Sequence, residues 1–182
     1  HRDLHGVDRR QRQICIRDRP QPVIAEVCGI AAAAGCQLVA SCDLAVASEQ
    51  SSFMTPGVNI GLFCSTPMVA VSRNISRKKI MEMLLTGEKL SAQEAVQFGL
   101  INKCVPSERL HINTLNLAKL IASKPTSTVK IGKEAFYKQV EMSIDDAYNY
   151  TSEVMAINMM EIDAHEGISA FLDKRTPSWD EK

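Results

Sequence analysis

The chain has 182 residues, 45% of them hydrophobic, enough to bury one sizeable core, and nothing in it reads as a second domain. Its 21 basic and 21 acidic side chains cancel, which leaves no electrostatic case for nucleic acid or an anionic membrane surface, and no run is apolar for long enough to span a bilayer. The six cysteines, Cys15, Cys28, Cys36, Cys42, Cys64 and Cys104, form no C-x-x-C pair and have no histidine at ligand spacing, which supports neither a metal site nor a redox motif and fits a reducing compartment.

Residues 1–19 hold six Arg and three Asp, a net of +3 against −3 for the remainder. They show no apolar period and no strand-like run, so they read as an arm outside the fold. Arg richness suggests a mitochondrial transit peptide, but Asp3, Asp8 and Asp18 oppose it and no initiator Met is present, so no clear transit peptide is read. From Pro20 to Lys182 the chain reads as one folded stretch, with a core over 20–105 and a helical region over 106–182. Pro22 to Val27 predicts a buried strand, its entrance held out of helix by Pro20 and Pro22, and Gly29 ends it. A run of small residues, Gly29 to Gly35, then turns into a helix over Ala33 to Ser41, with Ala34, Leu38 and Cys42 on one face. Such a turn leaves backbone N–H groups pointing outward at the positive end of a helix, the geometry of an anion or oxyanion site. The same composition also suits a helix packed tightly on a sheet. Both readings stay open on pattern alone.

Leu44 to Ala47 predicts a strand, followed by a loop around Phe53 to Gly61. Helices are expected over Met68 to Ser72, with Ser65 as N-cap and Pro67 in the first turn, and over Arg77 to Leu85, closed by Gly87. Ser91-Ala92-Gln93-Glu94 is a capping box for a short helix that Gly99 ends. Ile101 to Val105 reads as a strand before Pro106. Three longer helices follow, marked by Leu110, Leu117 and Ile121, then Val129, Phe136 and Val140, then Ile144, Tyr148, Met155, Met159 and Ile162. These stripes read as packing surface, with more apolar area than one small core requires.

Taken together, Pro22-Val23-Ile24-Ala25, Gly29-Ile30-Ala31, Gly35-Cys36-Gln37-Leu38, Cys42-Asp43, Phe53, Pro56 to Gly61, Leu85-Thr86-Gly87, Ser91 to Ala95 and Gly99-Leu100-Ile101 resemble the enoyl-CoA hydratase/isomerase (crotonase) superfamily in order and spacing. The tail Glu166 to Arg175 resembles its C-terminal helix. Ala31 to Leu38 with Thr55-Pro56-Gly57 is most similar to an animal, mitochondrial branch of that family. The resemblance implies an α/β fold, a crotonase-like β-β-α spiral, here partial, with a helical C-terminal trimerisation region. It implies mitochondrial fatty-acid metabolism, an acyl-CoA thioester as substrate or ligand with no further cofactor, and assembly into homotrimers or hexamers. Family members carry further β-β-α turns ahead of the position of Pro22, including a loop that supplies one oxyanion N–H, and the residues before Pro22 leave no room for them. The other oxyanion N–H falls by position on Ala34, with Gly35 beside it. Phe171 would touch the acyl or pantetheine part and Lys174 a CoA phosphate, with Arg175 competing for that phosphate.

The departures from the family pattern bear on activity. Hydration of an unsaturated thioester uses two carboxylates, and the resemblance places them at Gln37 and Gly57; some isomerases use another, which aligns with Ser65. An amide holds water by hydrogen bonds but has no titratable proton near neutral pH, and glycine offers only backbone. No catalytic acid is intact, and each lost general acid or base removes about 10²–10⁴-fold of rate. Cys36 near the helix N-terminus is a weak nucleophile candidate, buried cysteines being mostly inert. Asp43 reads as a structural acceptor for backbone N–H groups, and His111 and His165 as solvated. Three readings follow: a hydratase or isomerase by ancestry with weak or no activity; a non-catalytic acyl-CoA-binding or oligomer-forming protein; and a truncated form whose Pro22 to Val27 strand is an unpaired edge.

Overall fold

The protein is described over residues 16–179 in a computed structural model. Cys15 and most of the Arg-rich arm lie outside the described residues, and residues 16–18 are helical. The described chain forms two units, one holding Val23–Ala118 and the other Lys119 onward together with Asp18–Pro22.

The first unit is a two-sheet spiral. Strands β1 (Ile24–Val27), β3 (Leu44–Ser48) and β6 (Lys103–Val105) form one parallel sheet in the order β1-β3-β6. Strands β2 (Ile30–Ala32), β4 (Ser52–Met54) and β5 (Leu90–Ser91) form the other, β2-β4 parallel and β4-β5 antiparallel. The first two turns of the chain each lay one strand in the first sheet, bend, and lay the next in the second; β5 then adds to the second sheet before β6 returns to the first. Gly29, at φ +96, makes the first bend. Serine hydroxyls tie successive bends: Ser51 Oγ donates to the Val27 carbonyl at 2.9 Å, accepts from Gly29 N–H at 3.2 Å, and shares a bond with Ser48 Oγ at 2.8 Å. Asp43 clamps the turns as expected, accepting Val23 N–H at 2.6 Å on its carboxylate.

Helix α1 (Ala34–Ser41) follows β2; α2 (Ser65–Val71), α3 (Arg77–Thr86) and α4 (Ala92–Gln97) complete the layer, and α5 (Leu110–Ala122) follows β6. The core gathers Phe53, Leu90, Val71, Ala47 and Cys36, all essentially inaccessible. A side chain the size of Phe53 contributes about 1.5–3 kcal/mol by leaving water. In the second unit α6 (Thr126–Gln139), α7 (Ile144–Met159) and α8 (Ile162–Leu172) carry the C-terminal region. The tail returns onto α8: Arg175 pairs with Glu166 through two bonds of 2.6 and 2.8 Å, Ser178 N–H donates to the same carboxylate, and the Trp179 indole N–H donates to the Ser123 carbonyl.

Several expectations are corrected. The Pro22 to Val27 strand is only partly buried, Val27 alone being fully so, because β1 has a single neighbour, β3, among the described residues. The small-residue run is not all turn: Ile30–Ala32 is a strand, paired with Ser52–Met54 in what reads from sequence as loop. Helix α1 starts at Ala34 rather than Ala33; Ala34 and Leu38 are exposed on it, and Cys36, Gln37, Val39, Ala40 and Ser41 are buried. Ser65 is not an N-cap. Cys64 holds that position without a side-chain cap bond, and Ser65 is the first helical residue, its N–H donating to the Phe63 carbonyl at 2.7 Å, so the helix starts one residue earlier. The third C-terminal stripe breaks after Met159, and Ile162 opens the last helix.

Candidate functional site

An open hollow of about 570 Å³ lies in the first unit, its wall formed by Ala33 and Ala34 on one side and by the segments Pro56–Phe63 and Cys64–Pro67 on the other. The local sequence explains the first side. Ala33 sits at φ 45, ψ −108, a conformation that a residue with a Cβ rarely adopts and that costs about 1–3 kcal/mol. It is held there by two bonds: its N–H donates to the Met54 carbonyl and its carbonyl accepts Gln37 N–H, both at 2.9 Å. The kink turns the chain from β2 into α1. The N–H groups of Ala34 and Gly35 are thereby left without an acceptor among the described residues, at the positive end of the helix. A Cβ built on Gly35 would meet nothing within 4 Å, so tight packing does not account for that glycine.

The second side is built around Gly57. Its carbonyl accepts Leu62 N–H at 2.9 Å and its N–H donates to Cys64 Sγ at 3.3 Å, folding the 3-10 turn Pro56–Ile60 back on the start of α2. A Cβ at Gly57 would lie 2.8 Å from the Leu62 carbonyl oxygen and 2.9 Å from Cys64 Sγ. Position 57 is therefore closed to any side chain in this arrangement. The hollow's side-chain polar groups are Asn59, Cys64, Ser65 and Thr66, with no carboxylate or imidazole among them. Ser65 Oγ donates weakly to Phe63 O at 3.4 Å.

Of the residues singled out from sequence, the hollow brings together Ala34 and Gly57, with Ser65 at its edge. Gly35 and Gln37 are not in its wall; Gln37 is 7% exposed, on the buried face of α1. Cys36 is fully buried, and burial pushes its thiol up to about 12 despite a hydrogen bond with the Met54 backbone that works the other way. That removes it as a nucleophile. His111 is exposed, 3.4 Å from Glu26, and His165 is exposed on α8. Phe171 and Lys174 belong to the second unit, where both are exposed. Arg175 is committed to Glu166 through its guanidinium, which leaves Lys174 as the better phosphate candidate. Sequence reasoning missed two features of the wall. Ala33 carries no signal for a positive φ, and Cys64 reaches the hollow only because the 3-10 turn folds back on Gly57.

The profile of the family described as Enoyl-CoA hydratase/isomerase matches residues 5–182. The chain belongs to that family. The matched span begins inside the Arg-rich stretch, ahead of Pro20. "Enoyl-CoA hydratase domain-containing protein 3, mitochondrial" of Mus musculus is 55% identical over 164 residues, covering 90% of this chain and 55% of the relative. The chain thus spans about half the length of these curated relatives. The crystal structure of human enoyl-CoA hydratase domain-containing protein 3 superposes with a TM-score of 0.95 at 52% identity, covering 98% of this chain and 72% of that one. An enoyl-CoA hydratase from Mycobacterium smegmatis gives 0.91 at 50% identity, covering 92% and 65%. The paired sheets with their helical C-terminal region are the crotonase fold of this enoyl-CoA hydratase/isomerase family.

Proposed function

We propose that this family member binds acyl-CoA thioesters in fatty-acid metabolism and has weak or no hydratase activity. The observation that carries the reading is the closure of position 57. A hydratase needs a carboxylate there by the family pattern, and the Leu62 carbonyl and Cys64 Sγ stand where its Cβ would begin. Position 37 holds an amide, which donates and accepts hydrogen bonds but does not exchange a proton near neutral pH. What remains suits a thioester carbonyl: an open, largely apolar hollow with the unpaired N–H of Ala34 on its wall, and Gly35 beside it. In this reading Phe171 contacts the acyl or pantetheine portion and Lys174 a CoA phosphate, the thioester being a ligand and no other cofactor being used. Relatives named as mitochondrial support a mitochondrial location. The exposed apolar stripes of the C-terminal helices support assembly into trimers or hexamers.

The test is to incubate the full chain with crotonyl-CoA and follow retention and conversion together by mass spectrometry. Retention without hydration is the expected result. Hydration well above the uncatalysed background overturns the loss of activity and returns the chain to the hydratases, and failure to retain the thioester overturns binding.

A further inference from the structure

We propose that the ligand of this site is a thioester with a plain hydrocarbon acyl chain of medium to long length, its tail laid from the hollow over Ile60, Leu62 and Phe63. The proposal rests on the thioester reading above and names the ligand class within it. Three observations point to that class: the size of the hollow, the apolar side chains exposed on its wall, and the lack of charge along it.

Four acyl carbons displace about the volume of four waters, or about 120 Å³ at about 30 Å³ each, whereas the hollow holds about 570 Å³, in the range that encloses a drug-sized molecule. A short acyl group would leave most of that space wet. The thioester end has a place at the Ala34 N–H. The facing wall is closed at its centre, where Gly57 packs on the Leu62 carbonyl and Cys64 Sγ. A tail cannot enter between Gly57 and Cys64, so it has to run along the wall, which continues as Ile60-Gly61-Leu62-Phe63.

That stretch exposes three large apolar side chains within four positions, Ile60 by 76%, Leu62 by 64% and Phe63 by 45%. Single exposed hydrophobics are ordinary, but a cluster on the wall of a hollow is suited to a ligand that covers it. The backbone already holds the cluster in place. Gly61 N–H donates to the Val58 carbonyl at 3.3 Å and Leu62 N–H to the Gly57 carbonyl at 2.9 Å. The Asn59 amide lies where a Cβ on Gly87 would stand, which anchors the 3-10 turn to the end of α3. A wall ordered in advance spends little of the binding energy on ordering itself. Among the described residues the wall holds no Lys, Arg or His. A tail ending in a carboxylate would leave that charge desolvated and unpaired, so the site favours a plain hydrocarbon over an acyl group carrying a second acid.

The experiment measures binding of butanoyl-, octanoyl- and dodecanoyl-CoA to the full chain by calorimetry, with hexanoyl-CoA against adipoyl-CoA as the test of charge. These saturated thioesters have no double bond to hydrate, so binding is read whatever hydratase activity the chain has. A methylene wholly removed from water tightens binding about fourfold and one half-covered on an open wall about twofold, so dodecanoyl-CoA should bind about 10²-fold more tightly than butanoyl-CoA. It should bind once per chain and be displaced by butanoyl-CoA. Hexanoyl-CoA should bind about 10-fold more tightly than adipoyl-CoA. Ile60→Asn together with Leu62→Asn should flatten the series, dodecanoyl-CoA losing about 10-fold more affinity than butanoyl-CoA. Equal affinities along the series, or a gain that butanoyl-CoA does not displace, overturn the chain class and leave the thioester reading standing; the exposed loop then serves another contact, such as a second copy of the chain. A preference for adipoyl-CoA overturns the uncharged tail, and an unchanged series in the folded variant overturns its path. If no acyl-CoA binds, the thioester reading fails and this proposal falls with it. The comparison across ligands on one unmodified chain does not depend on whether the variant folds.

Discussion

Gly57 is fixed from both sides, by the Leu62 carbonyl and by Cys64 Sγ, and its lack of a side chain is a packing requirement as well as a chemical loss. Gly57→Ala should therefore lower stability by about 1–3 kcal/mol, the usual cost of overpacking a site that cannot relax, read as a shifted urea midpoint. Adding Cys64→Ala removes the flexible half of the clash, so the double variant should recover part of the loss. It should not recover all of it, because the Leu62 oxygen is backbone. Full recovery would show that the loop yields freely and that position 57 could accept an acid. The same contact explains why the altered acid positions are legible in the sequence as residue types while their consequence is not. Glycine at 57 reads as an absence, and the structure fills that absence with sulfur. Gln37 likewise reads as a site residue from its type, and its burial on α1 is visible only in the structure.

At the scale of elements, local signals carry most of what could be read in advance. The Ser91 and Glu94 capping box forms with both of its bonds, Gly87 closes α3 at φ 68, and Asp43 accepts backbone N–H as its place at the end of a helix suggests. What is missed is non-local. Strands of two or three residues such as β2, β4 and β5 have no period to detect and exist only through their partners across the bend. The tail clasp is another non-local feature and it titrates. The Arg175 guanidinium first, then Ser178 N–H, holds the Glu166 carboxyl down from its ordinary 4.5 to about 2. A carboxyl depressed on folding stabilises the clasp fully above about pH 4.5, and the contribution is lost as pH falls towards about 2. Trp179 is the single tryptophan, with its indole N–H on Ser123, so its fluorescence reports the docked tail. Acidification through that window should shift the emission to the red, and Glu166→Gln should give the shifted spectrum already at neutral pH. An emission that is flat down to pH 2 in the parent chain would mean that the pair does not hold the tail.

Across the molecule the distribution of apolar surface is uneven, and the second unit shows it most plainly. Ile144, Tyr148, Met155 and Met159 form a stripe along α7, each more than half exposed, with Phe136 on α6 and Phe171 on α8 in the same condition. Scattered exposed hydrophobics are ordinary, but a stripe repeating at helical spacing is not. Burying one such side chain returns about 1.5–3 kcal/mol, while bringing chains together costs about 4–15 kcal/mol in lost freedom. A single residue cannot drive association, whereas the half-dozen named here, about 9–18 kcal/mol together, reach the scale of that cost. The chain should accordingly sediment as a multiple of its own mass at micromolar concentration, a trimer or its double by the family reading. Replacing Met155 and Phe136 together by Glu removes two anchors and adds desolvation cost wherever the stripe is covered. That variant should sediment as a monomer with its far-ultraviolet dichroism unchanged, because neither side chain is in the core. An unchanged assembly in the variant would place the contacts elsewhere. A parent chain that is monomeric at every concentration would leave the stripe without a partner of its own kind.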